Sequence, residues 1–410
     1  MVPKGWLNRS IENNITFSGG SQPPREVFID EPKENYIRLI QIRDYKTDKY
    51  ATYIPKNLAK KFCSPSDVMI GRYGPPIFQI LRGIEGAYNV ALIKASPKNG
   101  VDNDYMYYFL SRESLLRVIE SHSQRTSGQT GIEMDVLKSY PMPLPPLSEQ
   151  KKIAKILSTW DKAITTTEQL LSNSQQQKKA LEQQLLTGKK RLGMPANGYD
   201  FKKTRYGIIP KDWEYPAIKD VCTQVTEKNT ESADYPVLSC SKYDGFVDSL
   251  KYFKKKVYSD DTSGYRLIHR GCFGFPSNHV EEGSIGLQNL YDTGIVSPIY
   301  VVFRAKPKKV DNTYLYAVLK TDHYRQIFGA ATNASVDRRG SLRWKEFSLI
   351  HVPLPPLEEQ QRISTVLATA DQEISALQQK LDALKQEKNA LMQQLLTGKR
   401  RVKVDDKEIA

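Results

Sequence analysis

Several short runs of this 410-residue sequence contain the side chains that proteins use to hold nucleic acids. Arg, Lys, Asn, Gln, Ser and Thr can hydrogen-bond to base edges, while Lys, Arg and hydroxyl groups hold phosphates. In the first half of the chain the candidate DNA contacts are Gln41, Arg43, Tyr45, Lys46, Lys49, Arg72, Tyr73, Ser123, Gln124, Arg125, Thr126, Ser127 and Gln129. In the second half they are Ser241, Lys242, Tyr243, Lys254, Lys255, Lys256, Ser277, Asn278, His279, Asn333, Arg338 and Arg339. Any one of them could equally be an ordinary solvated loop residue.

Motifs for catalysis and cofactor binding are missing or incomplete. The Thr-Gly-Lys at 187–189 has Gln183 where a phosphate-binding loop needs its first glycine. Glu31-Pro-Lys33 has the spacing of a nuclease motif, but its proline fits a strand interior poorly. His269, Cys272 and His279 could hold a metal ion, although a buried cysteine and two loop histidines explain them more simply. We therefore predict no catalytic residue, no metal site and no cofactor in this chain, although a dispersed active site would have no such motif.

The chain contains two copies of one unit. Pro143–Gln150 (PLPPLSEQ) recurs as Pro353–Gln360 (PLPPLEEQ), and the match continues without a gap to Lys189 and Lys399 at an offset of 210. Val2–Trp6 also resembles Ile209–Trp213, at an offset of 207. The stretches between these anchors match poorly. The framework is therefore duplicated while the two domains have diverged, as expected if each domain binds a different target.

Each copy of the repeat predicts a long helix with an apolar seam. Prolines fix an extended lead-in, and apolar residues then recur at the alternating spacing of four and three that is typical of coiled coils. The seam residues are Ile153, Leu157, Trp160, Ile164, Leu171, Lys178, Leu181 and Leu185, then Ile363, Leu367, Ile374, Leu377, Leu381, Leu384, Lys388, Leu391 and Leu395. Each helix should run about 38 residues, or roughly 57 Å, before a glycine ends it. Antiparallel pairing of the two seams would place the globular domains at opposite ends.

A charged residue occupies one seam position in both copies. Lys178 and Lys388 are equivalent in the repeat. A polar group at a seam position can fix the register of two helices, or a lysine there can extend past the seam to water. Both explanations remain open at this point.

The two domain sequences mix strand-like and helical runs in the same order, which predicts the α+β class twice. In the first domain 36–42, 67–71 and 87–93 alternate like strands and 105–119 has a helical pattern; in the second the corresponding runs are 235–239, 271–275, 299–303 and 312–328. We predict a first globular domain at 1–142, a central spacer helix at 143–192, a second globular domain at 193–352, and a C-terminal helix and tail at 353–410.

The composition is compatible with a DNA-binding protein as well as with one that binds no nucleic acid, and it predicts a protein of the cytoplasm. The net charge is +14, with 19 basic and 15 acidic groups over 1–141, 11 and 5 over 142–204, and 21 and 17 over 205–352. A positive charge spread in this way suits a polyanion lying along the molecule, although solubility alone would also explain it. The mean hydropathy is −0.53, and there is neither an apolar run of membrane-spanning length nor an apolar signal segment.

Both PLPPLxEQ segments, each leading into a long helix that ends QQLLTGK, resemble the specificity subunit of type I restriction–modification systems, as does the IPKDW start of the second unit. The resemblance covers essentially the whole chain; its helical repeats are specific, while the domains match mainly in layout. It implies two target-recognition domains related by a pseudo-two-fold axis and separated by an antiparallel pair of helices. Each domain would read one half of a bipartite, asymmetric DNA site in the major groove.

The resemblance also implies partners. The helices would set the gap between the half-sites and dock two methyltransferase subunits, which carry the S-adenosylmethionine site. Restriction subunits would join the full complex, so ATP and Mg, like S-adenosylmethionine, are expected only in partner subunits. The alternatives are a related type II-like or methylation-only system, an enzyme fused to its own DNA reader, and a coiled-coil scaffold without DNA binding.

Overall fold

The computed structural model describes residues 3–126, 129–193, 198–230, 233–332 and 341–403. The chain divides into a first unit, Met1–Gln169 with Gln379–Ala410, and a second unit, Leu170–Gln378. Each unit is built from strands and helices and contains part of each of the two long helices, which run antiparallel there. The predicted α+β class is therefore confirmed. Within the described ranges, no helix is long and apolar enough to cross a membrane.

The globular part of the first unit is built from short strands and short helices. Its strands are β1 (Leu7–Ser10), β2 (Ile15–Gly19), β3 (Tyr36–Ile40), β4 (Tyr53–Pro55), β5 (Phe62–Cys63), β6 (Val68–Gly71), β7 (Gln79–Leu81), β8 (Gly86–Tyr88), β9 (Leu92–Pro97), β10 (Gln124–Thr126), β11 (Gln129–Gly131) and β12 (Pro141–Leu144). Its helices are α1 (Ile11–Asn14), α2 (Asn103–Leu110), α3 (Glu113–Ser121) and α4 (Met134–Ser139). The long helix α5 (Leu147–Leu185) follows.

The second unit repeats this plan. Its strands are β13 (Phe201–Thr204), β14 (Gly207–Pro210), β15 (Cys222–Val225), β16 (Leu238–Ser241), β17 (Gly245–Asp248), β18 (Arg266–His269), β19 (Cys272–Pro276), β20 (Gly286–Leu287), β21 (Thr293–Val296) and β22 (Tyr300–Ala305). Its helices are α6 (Ile218–Val221), α7 (Ser249–Phe253), α8 (Asn312–Leu319), α9 (Asp322–Ala331) and α10 (Trp344–Phe347), followed by the long helix α11 (Leu357–Leu395).

Both units contain a four-stranded antiparallel sheet of the same connectivity. The strand order is β2-β9-β6-β7 in the first and β15-β22-β19-β20 in the second, and two helices follow the second strand of each sheet. In register, Phe17 lies opposite Ala95 and Thr223 opposite Arg304. The remaining strands differ: the first unit adds a sheet β4-β3-β8-β5 with a parallel β3–β8 pair, while the second adds the pairs β16–β17 and β18–β21. The divergence of the two domains is therefore concentrated outside a shared sheet.

Three runs predicted as single elements are each divided into two in the structure, so these predictions were wrong. The predicted strand 87–93 is two strands, because the Asn89 side chain accepts a hydrogen bond from Ala91 N (3.1 Å) and turns the chain. The predicted helix 105–119 breaks at Arg112, which takes extended backbone angles. The predicted helix 312–328 breaks at Thr321, whose hydroxyl accepts from Tyr324 N (3.2 Å) and starts a new helix. Local capping thus divides what the hydrophobic pattern alone joins.

The core of each unit includes both long helices. In the first unit, side chains from the sheet and from α2 pack with Leu157 near the start of α5 and Leu395 at the end of α11. In the second unit, the sheet and α8 pack with Ile363 near the start of α11 and Leu185 at the end of α5. Each domain therefore buries the beginning of one long helix and the end of the other, which is what an antiparallel pair requires.

The predicted seam positions line the inner side of the two helices. Ile153, Leu157, Leu171, Leu185, Ile363, Leu367, Leu381 and Leu395 are buried, and Trp160, Ile164, Lys178, Leu181, Ile374, Leu377, Leu384, Lys388 and Leu391 are half-buried. Lys178 donates to Asp371 across the second unit (2.6 Å), and Lys388 donates to Asp161 across the first. The two seam lysines therefore form equivalent cross-helix ion pairs, which favours the register-fixing explanation over simple escape to water.

Each long helix ends in a glycine turn that packs on the start of a unit. Gly188 (φ +69°) and Gly398 (φ +73°) have left-handed backbone angles. A Cβ built on Gly188 would lie 2.3 Å from Pro210 Cγ, and one built on Gly398 would lie 2.3 Å from Pro3 Cγ. Glycine is required at both positions by its backbone angles and by the close approach of a proline ring.

In each unit a tryptophan, a glutamate and an arginine form one hydrogen-bonded cluster, which we call the Trp-Glu-Arg closure. It joins the segment after one long helix to the start of the other. In the second unit, Glu359 accepts from Trp213 Nε1 (3.2 Å) and takes two hydrogen bonds from Arg191 (2.8 and 2.6 Å). In the first unit, Glu149 accepts in the same way from Trp6 Nε1 (3.1 Å) and twice from Arg401 (3.1 and 2.7 Å). The beginning of the described chain is thus anchored through Glu149 to its C-terminal segment.

A buried glutamine joins each helix start to its domain. Gln150 accepts from Asp102 N (2.8 Å) and donates to Gly100 O and Pro145 O (2.9 and 2.8 Å). Gln360 makes the equivalent bonds in the second unit, accepting from Asp311 N (2.9 Å) and donating to Lys309 O and Pro355 O. The repeated PLPPLxEQ motif therefore supplies both the glutamate and the glutamine that fix the long helix to the globular domain.

Candidate nucleic-acid interface

The segment between β3 and β4 presents exposed cations around an aromatic ring. The chain makes two 3₁₀ turns there, Ile42–Tyr45 and Asp48–Tyr50. Arg43, Lys46 and Lys49 are all exposed. The Tyr50 ring is 54% exposed, with the Lys49 ammonium 5.4 Å and the Arg43 guanidinium 6.0 Å from its centre. This grouping can hold phosphates and stack on a base or sugar. Sequence reasoning missed Tyr50.

A buried carboxylate holds this segment in place. The Asp44 side chain accepts from Gln41 N (2.8 Å) and lies 3.9 Å from the Arg38 guanidinium, which also contacts Asp48 at 2.7 Å. Burial raises the pKa of Asp44 above its ordinary value, against the lowering effects of the Gln41 N–H and the nearby arginines. Gln41 and Tyr45 are half-buried, and the Tyr45 hydroxyl is buried without a hydrogen-bond partner in the described chain. These two candidates lie behind the exposed cations.

Arg72 and Tyr73 lie between two other candidate segments. Tyr73 forms a bridge to Gly131, in the β10–β11 hairpin, and the Arg72 guanidinium lies 5.3 Å from the centre of the Tyr73 ring. A Cβ built on the neighbouring Gly71 would lie 3.2 Å from Ile42 Cδ1. The segment that begins at Gln41, the Arg72–Tyr73 pair and the hairpin are therefore neighbours on the first domain.

The hairpin itself contains most of the remaining first-domain candidates. Ser123 donates to Glu120 O (2.9 Å) at the end of α3. Gln124, Arg125, Thr126 and Gln129 lie in β10 and β11. Ser127 lies outside the described residues.

In the second domain, a lysine clamps two candidate loops together. Ser241, Lys242 and Tyr243 form the turn between β16 and β17, where Tyr243 is 82% exposed. Lys320 Nζ donates to Lys242 O (2.7 Å) and to Gly283 O (3.0 Å). Burial lowers the pKa of Lys320. Lys320 was not predicted as a site residue.

The loop after β19 and the end of α7 approach the same turn. Ser277, Asn278 and His279 follow β19 and lead to Gly283, whose added Cβ would lie 3.9 Å from Lys242 Cγ. The α7 residue Tyr252 donates its hydroxyl to Asp244 of the turn (3.2 Å). Lys254, Lys255 and Lys256 continue directly from α7, and all three are exposed. Asn333, Arg338 and Arg339 lie outside the described residues.

A second basic surface was not predicted. A concave region of about 650 Å³ is lined by Arg304, Lys306, Lys308 and Lys309. Residues 223–227, at the end of β15 and directly after it, line the same region. All four cations are exposed, and Lys306 Nζ donates to Asp220 O (2.9 Å). Four cations within six residues are the sequence signal that could have identified it.

The histidines, cysteine and glutamates that could bind a metal ion have other partners or lie on the surface. Both ring nitrogens of His269 are engaged, by Thr293 (3.0 Å) and Glu227 (2.9 Å), so His269 and Cys272 do not act together. His279, Glu281 and Glu282 place one atom each within 4.8 Å of one another, but His279 already contacts Glu282. Since such groups are common on surfaces that bind no ion, we assign no metal site to them.

The sequence and the fold both match characterised proteins. The family model for the type I restriction modification DNA specificity domain matches residues 3–173 and again 210–386. The type I restriction enzyme MjaVIII specificity subunit of Methanocaldococcus jannaschii is 27% identical, over 98% of this chain and 94% of its own length. The EcoBI specificity subunit of Escherichia coli is 22% identical, over 90% and 81%.

Two solved structures have the same fold. One is the S subunit of the type I restriction–modification system of M. genitalium, with a TM-score of 0.57, 13% identity, and coverage of 95% of this chain and 96% of that one. The other comes from work on complex assembly and conformational transition of the type I R-M system, with a TM-score of 0.56, 16% identity, and coverage of 98% and 100%.

Proposed function

This chain belongs to the family of type I restriction–modification specificity subunits, and on that premise we propose that it reads a bipartite, asymmetric DNA site, one half with each recognition domain. The observation that carries the proposal is the contrast within the duplication. The two units share the same sheet connectivity, the same Trp-Glu-Arg closure and the same glutamine anchor. They differ in the strands and loops that carry the exposed polar and cationic residues.

The first half-site is contacted by the cations and Tyr50 of the β3–β4 segment, by the Arg72–Tyr73 pair, and by the β10–β11 hairpin. The second is contacted by the 241–243 turn, the 277–279 loop and the lysines after α7. Asp44 and Lys320 position these segments from beneath. Because the surfaces differ in residue type and in backbone, the two halves of the site differ in sequence.

The paired helices set the gap between the half-sites and dock two methyltransferase subunits. Their outward-facing residues include many exposed Gln, Lys and Glu side chains, which suit a polar docking surface. The chain itself is non-catalytic: the partners hold S-adenosylmethionine, and restriction subunits in the full complex use ATP and Mg.

The test is a footprint of the full chain, copurified with its partner subunits, on duplexes selected from a random-sequence pool. Two protected blocks separated by an unspecified gap support the proposal. Affinity for the selected duplex should fall steeply with salt, since each neutralised phosphate contributes about −0.9 to the slope of log affinity against log salt. A single continuous block, or no selected sequence at all, would contradict it.

A further inference from the structure

The short helix α7 presents an apolar surface to solvent beside a cluster of lysines. Leu250 and Phe253 are 53% and 43% exposed, and their spacing of three places them on one face. Tyr252 is 48% exposed and meets the Phe253 ring edge-on at 5.1 Å. Residues 249–257 contain four lysines and no acidic residue. The result is an apolar patch with a positive border.

This patch is held rigidly. Asp248 caps α7 by accepting from Leu250 N and Lys251 N (both 3.1 Å), and it also accepts from the Tyr291 hydroxyl (2.8 Å). Ser249 is fully buried and shares a hydrogen bond with Ser239 (2.7 Å). The exposure of Leu250 and Phe253 is therefore built into the fold, and it does not reflect a frayed helix.

An apolar patch with this border fits a partner that is itself apolar in the middle and anionic at its edges. Single exposed apolar residues are ordinary, whereas contiguous apolar patches are typical of interaction sites, and Leu250, Tyr252 and Phe253 are neighbours on one fixed element. A base step between two phosphate backbones has the required chemistry: flat apolar faces flanked by negative charge on both sides. The nearby acid Asp248 is occupied by capping, and Asp260 pairs with Lys256, so the charge offered to the partner is positive.

We propose that Leu250 and Phe253 form a wedge that inserts at one base step of the second half-site and kinks the DNA there, while Lys254 and Lys255 hold the flanking phosphates. The inference rests on the proposed function. Proteins that unstack a base step in this way recover the cost through the additional surface that the bent DNA contacts. Because pyrimidine–purine steps unstack most easily, the wedge selects TA, CA or TG at its position without hydrogen-bonding to those bases.

The candidate segment of the first domain is organised differently. There the exposed cations Arg43 and Lys49 lie near the Tyr50 ring, and the chain forms two short 3₁₀ turns in place of a helix like α7. The wedge is therefore proposed only for the half-site bound by the second domain.

The test uses the full chain with its copurified partner subunits and a duplex selected from a random pool, with 2-aminopurine placed in turn at each position of both half-sites. Apart from the base that the methyltransferase subunits flip in each half-site, wild-type protein should raise the fluorescence several-fold at one step of one half-site only, and that step should be pyrimidine–purine. The double variant Leu250→Ala, Phe253→Ala should lose this rise and bind the duplex at least 10-fold more weakly. Its slope of log affinity against log salt (the salt slope) should be unchanged. Lys255→Ala should keep the rise and reduce the magnitude of the salt slope by about 1.

The matched control is Phe201→Ala with Leu349→Ala. These side chains are 44% and 52% exposed in the same unit, and Phe201 also lies beside a tyrosine ring. The control should behave as wild type.

The wedge is refuted if bound wild-type protein gives no rise, or if the rise survives in the Leu250, Phe253 variant. It is also refuted if that variant no longer copurifies with partner subunits, because the patch then binds protein. Failure to select any two-part sequence would refute the proposed function, at an earlier step of the same experiment, and the wedge with it.

Discussion

Replacing Arg191 by methionine should destabilise the second unit by about 3–5 kcal/mol, because the Glu359 carboxylate would stay buried without its cation. The Arg191 side chain is only 1% exposed, and that of Glu359 is 10% exposed. Arg191 also makes two bonds to Asp212 (2.7 and 2.9 Å) and lies 5.6 Å from the Trp213 ring centre. One substitution therefore removes four charge-assisted hydrogen bonds at the point where α5 closes the unit.

The charge of Arg191 in the wild-type protein should not change with pH in the working range. Hydrogen bonds to Glu359 and Asp212 raise the pKa of Arg191 above its ordinary value. A base whose pKa is raised by folding contributes its full stability below its unfolded pKa and loses it only as pH rises beyond that value. Arg191 of the wild-type protein therefore stays charged and contributes its full stability throughout the range from pH 6 to pH 9.

The assay is native-state amide hydrogen exchange, with the exchange rates compared separately for the two units. Urea unfolding gives the free energy of unfolding of the whole chain. Exchange should quicken around Trp213 and Glu359 and not in the first unit. The double variant Arg191→Met, Glu359→Gln should recover at least half of the loss, because it removes the unpaired charge and the Gln oxygen still accepts from Trp213.

The matched control is Arg401→Met. Arg401 makes the equivalent contacts to Glu149, but its side chain is 47% exposed, and Gly5 stands where the second unit has Asp212. Its effect should be smaller and confined to the first unit. A loss below about 1 kcal/mol in Arg191→Met, or equal opening of both units, would show that the buried pair does not hold the closure.

Three further predictions concern the spacer helices and the first domain. Lys178→Glu should lower the free energy of unfolding by about 1 kcal/mol, as for a partly exposed ion pair. Adding Asp371→Lys should restore at least half of this loss, measured by thermal unfolding. A double variant no more stable than Lys178→Glu would show that the pair does not couple the helices. Because burial raises the pKa of Asp44, ionising this carboxylate costs native-state stability, so the wild-type first unit should lose stability as pH rises from about 4 through the folded pKa. Asp44→Asn should lack this slope in urea titrations, and parallel curves would contradict the assignment. Inserting one heptad into both long helices, after residues 169 and 378, adds roughly 10 Å. It should change the selected gap and leave both half-sites intact, whereas altered base preference would contradict the spacer role.

The duplicated framework could be predicted because its repeated residues are the ones that the fold uses twice. Glu149 and Glu359 bind the closing arginines, Gln150 and Gln360 anchor the helices, and the paired glycines meet a proline ring. Their identity across an offset of 210 is visible without a structure. The seam lysines were also visible, but their aspartate partners lie 193 and 227 residues away in sequence, so only packing shows which role they have.

The candidate interface was less predictable. Exposed cations in loops could be recognised by type, yet Gln41 and Tyr45 turned out to be half-buried. Asp44 could have been found from its position three residues after Gln41, a spacing typical of turn capping. Lys320 could not, because it joins two loops that lie 78 and 37 residues away. Side chains that position a loop from a distance leave no local pattern.

The most direct test of the central claim, that each domain reads its own half of the site, is selection from random-sequence duplexes by wild-type chain and by two single variants, each with its copurified partners. Wild type should select two blocks at a fixed spacing. Arg72→Ala should relax base preference in one block only, and Lys242→Ala in the other block only. One continuous block, or relaxation of both blocks by either variant, would contradict the account.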